Sequence, residues 1–186
     1  MSTATSSKAL SFRDLWHRLE PRWGRREAQA IIRMLADRLY GLSLTELLTG
    51  GLQRLSAEQR QVLTEMTGRV EQGEPVQYVL GEAPFCGLWL MVSKDVLIPR
   101  PEPEELCRWV VGSCGQKGRP VRRLLDVGTG SGCIACTMAT LMPDASVDAW
   151  DISDGALDVA RENAKRTHVH VSFSRRDALH LEPHKG

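Results

Sequence analysis

The chain has 186 residues, 42% of them hydrophobic and 25% charged, and carries a formal net charge of +1 at pH 7. That balance is the one of a folded globular protein, it excludes a disordered chain, and near-neutrality argues against the broad basic face that nucleic-acid binding requires. No apolar run approaches the ~20 residues of a membrane-spanning helix.

Five cysteines (Cys86, Cys107, Cys114, Cys133 and Cys136) are odd in number and unevenly spread. No secretory apolar segment precedes them, so a disulfide framework is not expected and a reducing compartment, the cytoplasm, is favoured. The Ser/Thr-rich opening from Met1 to Leu10, with Asp14 as its first following acid, faintly resembles an organellar transit peptide; a frayed end is the plainer expectation.

Residues from Phe12 to about Gln72 read as helices. Ala28, Ile31, Ile32, Leu35 and Leu39 recur at the spacing of one apolar stripe, with Arg25, Arg26, Arg33 and Arg38 mostly off it. Ser43 with Glu46, and Ser56 with Gln59, have the spacing of capping boxes, in which each side chain satisfies an amide of the other's turn. The second box opens a helix with Val62, Leu63, Met66 and Val70 on one side, ended by Gly73, Glu74 and Pro75. Residues 1–73 are expected to form a helical bundle.

The texture then changes. Phe85 to Val92 is apolar and aromatic, Val96 to Ile98 adds a short β-like run, and Gly81, Pro84 and Gly87 punctuate them. Residues 74–102 are therefore expected to form a β-hairpin linker. Pro103 suits the first turn of a helix reaching from about Glu104 to Gly112.

From Arg122 the pattern alternates. Leu124 to Val127 reads as a strand, Ile134, Met138 and Leu141 as a helix face, and Val147 to Trp150 as a second strand. Leu157, Ala160 and Ala164 mark another helix, and Val169, Val171 and Phe173 a third strand. Residues 103–186 thus form an α/β domain, half of a doubly wound parallel sheet.

Asp126-Val127-Gly128-Thr129-Gly130-Ser131-Gly132 lies between the first strand and its helix, at the sheet edge where such folds bind ligands. A dinucleotide fingerprint needs glycine where Cys133 stands. The D-x-G-x-G-x-G form instead resembles the first motif of class I methyltransferases, whose cofactor is S-adenosylmethionine. That molecule has no pyrophosphate, so the bend is expected to approach its methionine and ribose. Asp151, ending the second strand, is placed to accept from both ribose hydroxyls. Asp126 is a candidate for the ligand's ammonium group, and Asp177, past the third strand, for the adenine amino group. Asp177 also reads as an ordinary turn aspartate.

Four stretches carry a closer resemblance: Gly73-x-Pro75-Val76-Gln77-Tyr78-Val79-x-Gly81, Leu97-Ile98-Pro99-Arg100-Pro101-Glu102, the glycine loop, and Asp151-Ile152-Ser153 followed by Ala156-Leu157. In this order, behind a helical first half, they resemble the release factor glutamine methyltransferase family, known as PrmC or HemK. The resemblance implies methylation of the glutamine side-chain amide in the Gly-Gly-Gln motif of class I peptide chain release factors, with the helical domain helping to recognise them. It also implies donor binding by Gly128, Thr129, Gly130, Ser131, Gly132 and Asp151. Arg100 falls in a segment near the active site and is a substrate-side candidate; a surface salt bridge is the alternative.

Two departures stand out. Pro103 replaces the family's usual threonine. The family's Asn-Pro-Pro-Tyr motif, which aims the glutamine nitrogen, is absent, since Asn163 is the sole asparagine and no two prolines adjoin. No catalytic residue is therefore assigned. An amide lone pair is delocalised, and positioning can supply ~7–11 kcal/mol of the barrier, so impaired catalysis is expected. The first strand is expected to be an exposed edge, and the chain a fragment or a product needing a partner.

Rival readings carry less. Cys133-x-x-Cys136 has thioredoxin-like spacing, but free cysteines packing as small apolar residues explain it better. A zinc site lacks a second ligand pair, so no metal is expected. A DNA or RNA adenine methyltransferase calls for a basic face, and a release-factor-binding module without chemistry needs only the helical half.

Overall fold

The computed structural model describes residues 10–116 and 121–180. They divide into two units, with the boundary between Leu80 and Gly81. The serine-rich opening, residues 1–9, lies outside the described residues.

In the first unit Ser11 is extended and its hydroxyl accepts from the Asp14 amide at 3.1 Å, which starts α1 (Phe12–Tyr40). The helix ends on Gly41, whose φ of 66° turns the chain left-handed and sends its amide back to the Ala36 and Asp37 carbonyls. Between these caps Gly24, at φ 72° and ψ 160°, breaks the helical path, so α1 is two helices meeting at a kink. The Ser43–Glu46 and Ser56–Gln59 boxes are both closed, and they open α2 (Leu44–Leu48) and α3 (Ala57–Glu71).

Leu15, Leu19, Ile32, Leu35, Leu63 and Val70 form the centre of this unit's core. The expected α1 stripe is buried at Ala28, Ile31, Ile32 and Leu35. On α3 the buried side is Leu63, Thr67 and Val70, whereas Val62 stands 39% exposed, one residue off the stripe. Trp23 Nε1 donates to the Val70 carbonyl at 3.1 Å, and Arg18 pairs with Glu71 at 2.6 Å, tying α1 to α3. Val76–Leu80 forms a short helix, α4, whose Val76 and Val79 join the same core. That corrects the expectation of linker over these residues: two buried valines three apart hold them helical.

In the second unit, β1 (Glu82–Phe85) and β2 (Leu88–Met91) form an antiparallel hairpin. Its two turn residues, Cys86 at φ 48° and Gly87 at φ 79°, match a right-twisted hairpin turn. This hairpin is no free linker, because Phe85 and Leu90 are buried with Cys107 and Met138. Val96 to Ile98 forms no strand. Then α5 (Glu102–Gln116) begins with three glutamates in its first turn, where the helix dipole favours negative charge.

Three parallel strands follow in spatial order β3 (Arg123–Val127), β4 (Ser146–Asp151) and β5 (Ser172–Arg175), joined through α6 (Cys133–Leu141) and α7 (Asp154–Arg166). The third strand starts later than expected, at Ser172, with Val171 buried just before it. Val147, Ala149 and Val171 pack with Ala135 between sheet and helix. Among the described residues β3 pairs on one side only, and its Leu125 and Val127 are 46% and 51% exposed. The expected open edge is there.

Candidate functional site

The parallel register sets Val127 beside Trp150, so β3 and β4 end together and their carboxyl ends share one edge. From that edge the chain bends through Gly128, Gly130 and Gly132, at φ 74°, 54° and 75°. Only glycine adopts such angles without strain. The three differ in what surrounds them. At Gly132 a Cβ would stand 2.9 Å from Ala160 Cβ, so this glycine lets α6 approach α7. At Gly128 and Gly130 a Cβ would meet nothing within 4 Å, so open space lies over the bend.

Trp150's carbonyl accepts from the amides of both Gly128 and Thr129, each at 2.9 Å. Gly130's amide donates to Asp151 Oδ2 at 2.8 Å, and Gly132's amide to the Thr129 carbonyl at 2.8 Å. These four amides are committed within the protein, which makes the bend a poor phosphate cradle. Asp151 Oδ1 meanwhile accepts from the Ser153 amide at 3.0 Å. Each carboxylate oxygen has a further lone pair, so Asp151 is held in place and still able to accept from a ligand.

Asp126 is buried, and Thr129 Oγ1 donates to its Oδ2 at 2.7 Å. Burial pushes its carboxyl above the usual aspartate range, opposed by the hydrogen bonds from Thr129 and Ala135 and reinforced by the neighbouring Asp151 charge. Ser131 is buried as well. Two carboxylates, a bare-backboned bend and an open volume above it suit a ligand with a cation and vicinal hydroxyls.

Two candidates stand apart from this group. Asp177 lies past β5, where its carboxylate accepts from the Leu179 amide at 2.9 Å and meets His180 Nδ1 at 2.8 Å. Those bonds, His180's first, hold its carboxyl below the usual range. Arg100 is exposed and makes no hydrogen bond or ion pair among the described residues, so the salt bridge considered for it is not formed.

Sequence reasoning missed Asn163. Fully buried on α7, it accepts from the Met91 amide at 2.6 Å, and it donates to the carbonyls of Met91 and Ser131, each at 2.9 Å. It thereby fastens the glycine bend to the hairpin. Nothing local signals this role, although a sole asparagine in an amphipathic helix invites the question.

The cysteine pair has the opposite character to a redox site. Burial pushes Cys136 up to about 11 and raises Cys133 as well, whereas a reactive thiol needs a depressed value. Cys107 is pushed to about 12, again by burial first.

A parallel β–α–β–α–β unit with this bend at its carboxyl edge is a partial Rossmann-like methyltransferase domain. The profile described as "Methyltransferase domain" matches residues 124–186, and that described as "PrmC N-terminal domain" matches residues 12–81. The release factor glutamine methyltransferase of Bacteroides thetaiotaomicron is 39% identical over 86% of this chain and 56% of its own length. Its namesakes from Koribacter versatilis (42% identical, 79% of this chain, 50% of its own) and Neisseria gonorrhoeae (41%, 76% and 50%) are similar. The chain belongs to the PrmC (HemK) family, and it spans about half the length of the curated relatives it matches.

Proposed function

We propose that this chain contributes donor binding and substrate recognition to a protein-(glutamine-N5) methyltransferase. It acts on class I peptide chain release factors in the cytoplasm, with S-adenosylmethionine as methyl donor. The observation that carries the reading is the placement of Asp151, which closes β4, grips the Gly130 amide at 2.8 Å and keeps acceptor capacity toward the open side of the bend.

In this reading Asp151 holds the ribose hydroxyls, and Gly128 and Gly130 let the ligand approach where a side chain would intrude. Asp126 receives the ammonium group, Thr129 and Ser131 shape the bend, and Asp177 serves the adenine amino group by giving up its turn contacts. Arg100, exposed and unpaired, is proposed on the substrate side. When bound, the donor supplies an electrophilic methyl group on sulfonium. A glutamine amide presented to it would accept the methyl on nitrogen and lose a proton, leaving the donor's sulfur as a neutral thioether. The charged residues of this chain are nearly balanced, which fits a protein substrate better than a nucleic acid. Among the described residues no helix is long and apolar enough to cross a membrane.

Asn163 cannot aim the glutamine, since all its polar atoms are spent on Met91 and Ser131. Positioning of the reacting nitrogen therefore falls to residues other than these. The domain division that goes with this reading places recognition in the unit that ends at Leu80 and donor binding in the unit that begins at Gly81.

Calorimetric titration of S-adenosylmethionine into the chain and into Asp151→Ala tests the donor site. Loss of hydrogen bonds to a charged group, at about 1.5–3 kcal/mol, corresponds to a roughly 10- to 100-fold weaker affinity. Equal affinity removes Asp151 from the site. Transfer of labelled methyl to a release factor but not to nucleic acid is expected of any longer protein that carries this chain.

A further inference from the structure

A groove of about 400 Å³ opens on the helical unit between α1 and α2. Its α1 wall carries Arg26, Gln29, Ala30 and Arg33, and its α2 wall Leu44 and Leu48. The four α1 residues fall at i, i+3, i+4 and i+7, one face of a helix, beyond the kink at Gly24. Arg26 and Arg33 are thus two turns apart, about 10 Å along the axis.

Unpaired charge and exposed apolar surface meet at this groove. Leu48 is 68% and Leu44 42% exposed, an apolar pair one turn apart left in water. Arg18, Arg54 and Arg69 each pair with a glutamate of the same unit. Arg26 and Arg33 make no hydrogen bond or ion pair among the described residues. The carboxylate of α2 itself, Glu46, is engaged by Ser43 and Arg54. An apolar strip flanked by two unpaired guanidiniums lacks an occupant of complementary make-up.

We propose that this groove docks an acidic amphipathic helix of a protein partner. The apolar stripe of that helix lies on Ala30, Leu44 and Leu48, and carboxylates two turns apart meet Arg26 and Arg33. A nucleic-acid strand fits less well, because the groove's one aromatic side chain, Phe12, is buried and offers no face for stacking. The inference rests on the proposed function in one respect, namely that the partner supplying the helix is the release factor.

The test titrates a purified class I release factor against the full chain, Leu48→Asp and Arg26→Glu/Arg33→Glu, at low and high salt, by fluorescence anisotropy. All three substituted side chains are exposed, so unchanged circular dichroism and unchanged donor affinity are expected. Each variant is expected to bind at least tenfold more weakly, with the arginine variant losing most of the salt dependence. Wild-type binding with both variants unaffected overturns the groove and leaves the proposed function standing. Weakening by the arginine change alone also overturns it, since that describes a diffuse charge contact. No binding by the wild-type chain overturns both readings. Altered self-association of Leu48→Asp with unaltered release-factor binding assigns the groove to a second copy and overturns the proposal.

Discussion

Asn163 donates from Nδ2 to the Ser131 carbonyl at 2.9 Å, so a side chain on α7 holds the glycine bend from behind. The same amide brackets the backbone of Met91, and one residue thus ties loop, helix and hairpin. Asn163→Ala strands one buried and two half-buried backbone groups. At about 1–3 kcal/mol for a buried unsatisfied group and less for the two that water can reach, a loss of roughly 2–4 kcal/mol in urea unfolding is expected. Asn163→Asp keeps the acceptor for Met91 but sets a carboxylate against two carbonyl oxygens, and is expected to recover partly in acid. A loss under about 1 kcal/mol in the alanine variant contradicts this account.

The two kinds of glycine in the bend should separate under substitution. Gly132→Ala suffers both a φ of 75° and a methyl 2.9 Å from Ala160, and is expected to lower stability by more than about 2 kcal/mol. Gly128→Ala meets open space and is expected to cost only the roughly 1–2 kcal/mol of its backbone angle, while weakening the donor disproportionately. Thermal melts beside donor titrations check the contrast.

Asp126 gives a pH dependence of definite sign. Its folded pKa is raised, chiefly by burial, so between the unfolded value and the folded one the native chain holds the extra proton. Stability from this group is present below the unfolded value and falls as pH rises through the folded one. Asp126→Asn is expected to flatten that descent in denaturation curves taken across the acid range. Donor affinity should run the other way, rising with pH as the carboxylate becomes available to the ammonium group and staying flat in the asparagine variant.

The uncovered edge of β3 predicts self-association of this 186-residue chain. Leu125→Lys puts a charge on that strand where the side chain is already 46% exposed. Light scattering is expected to show less association, with folding stability within about 0.5 kcal/mol of the parent. Unchanged scattering would locate the contact elsewhere.

What the sequence disclosed was local. The Ser43–Glu46 and Ser56–Gln59 boxes span three residues each, and the strand–bend–helix around Gly128 is contiguous, so pattern sufficed. The α1 kink was hidden because Gly24 interrupts a helix whose apolar period resumes beyond it. The α4 helix was hidden because Pro75 and Gly81 frame it like a loop, and burial of Val76 and Val79 decides the matter. Asn163 was out of reach for a different reason. Its partners lie 72 and 32 positions away, and no window along the chain contains them. Asp126 and Asp177 are read from their places at the ends of the first and third strands, and Arg100 from resemblance to a segment near the family's active site.

The double use of Trp150's carbonyl carries one more consequence. Cells store adenosine mainly in phosphorylated form, and a pocket that merely liked adenosine would be filled by such compounds. Here the amides of Gly128, Thr129, Gly130 and Gly132 are already turned inward, and the carboxylates of Asp126 and Asp151 stand beside them. A phosphate approaching this bend would find those four amides engaged, whereas a cationic ligand would meet two carboxylates.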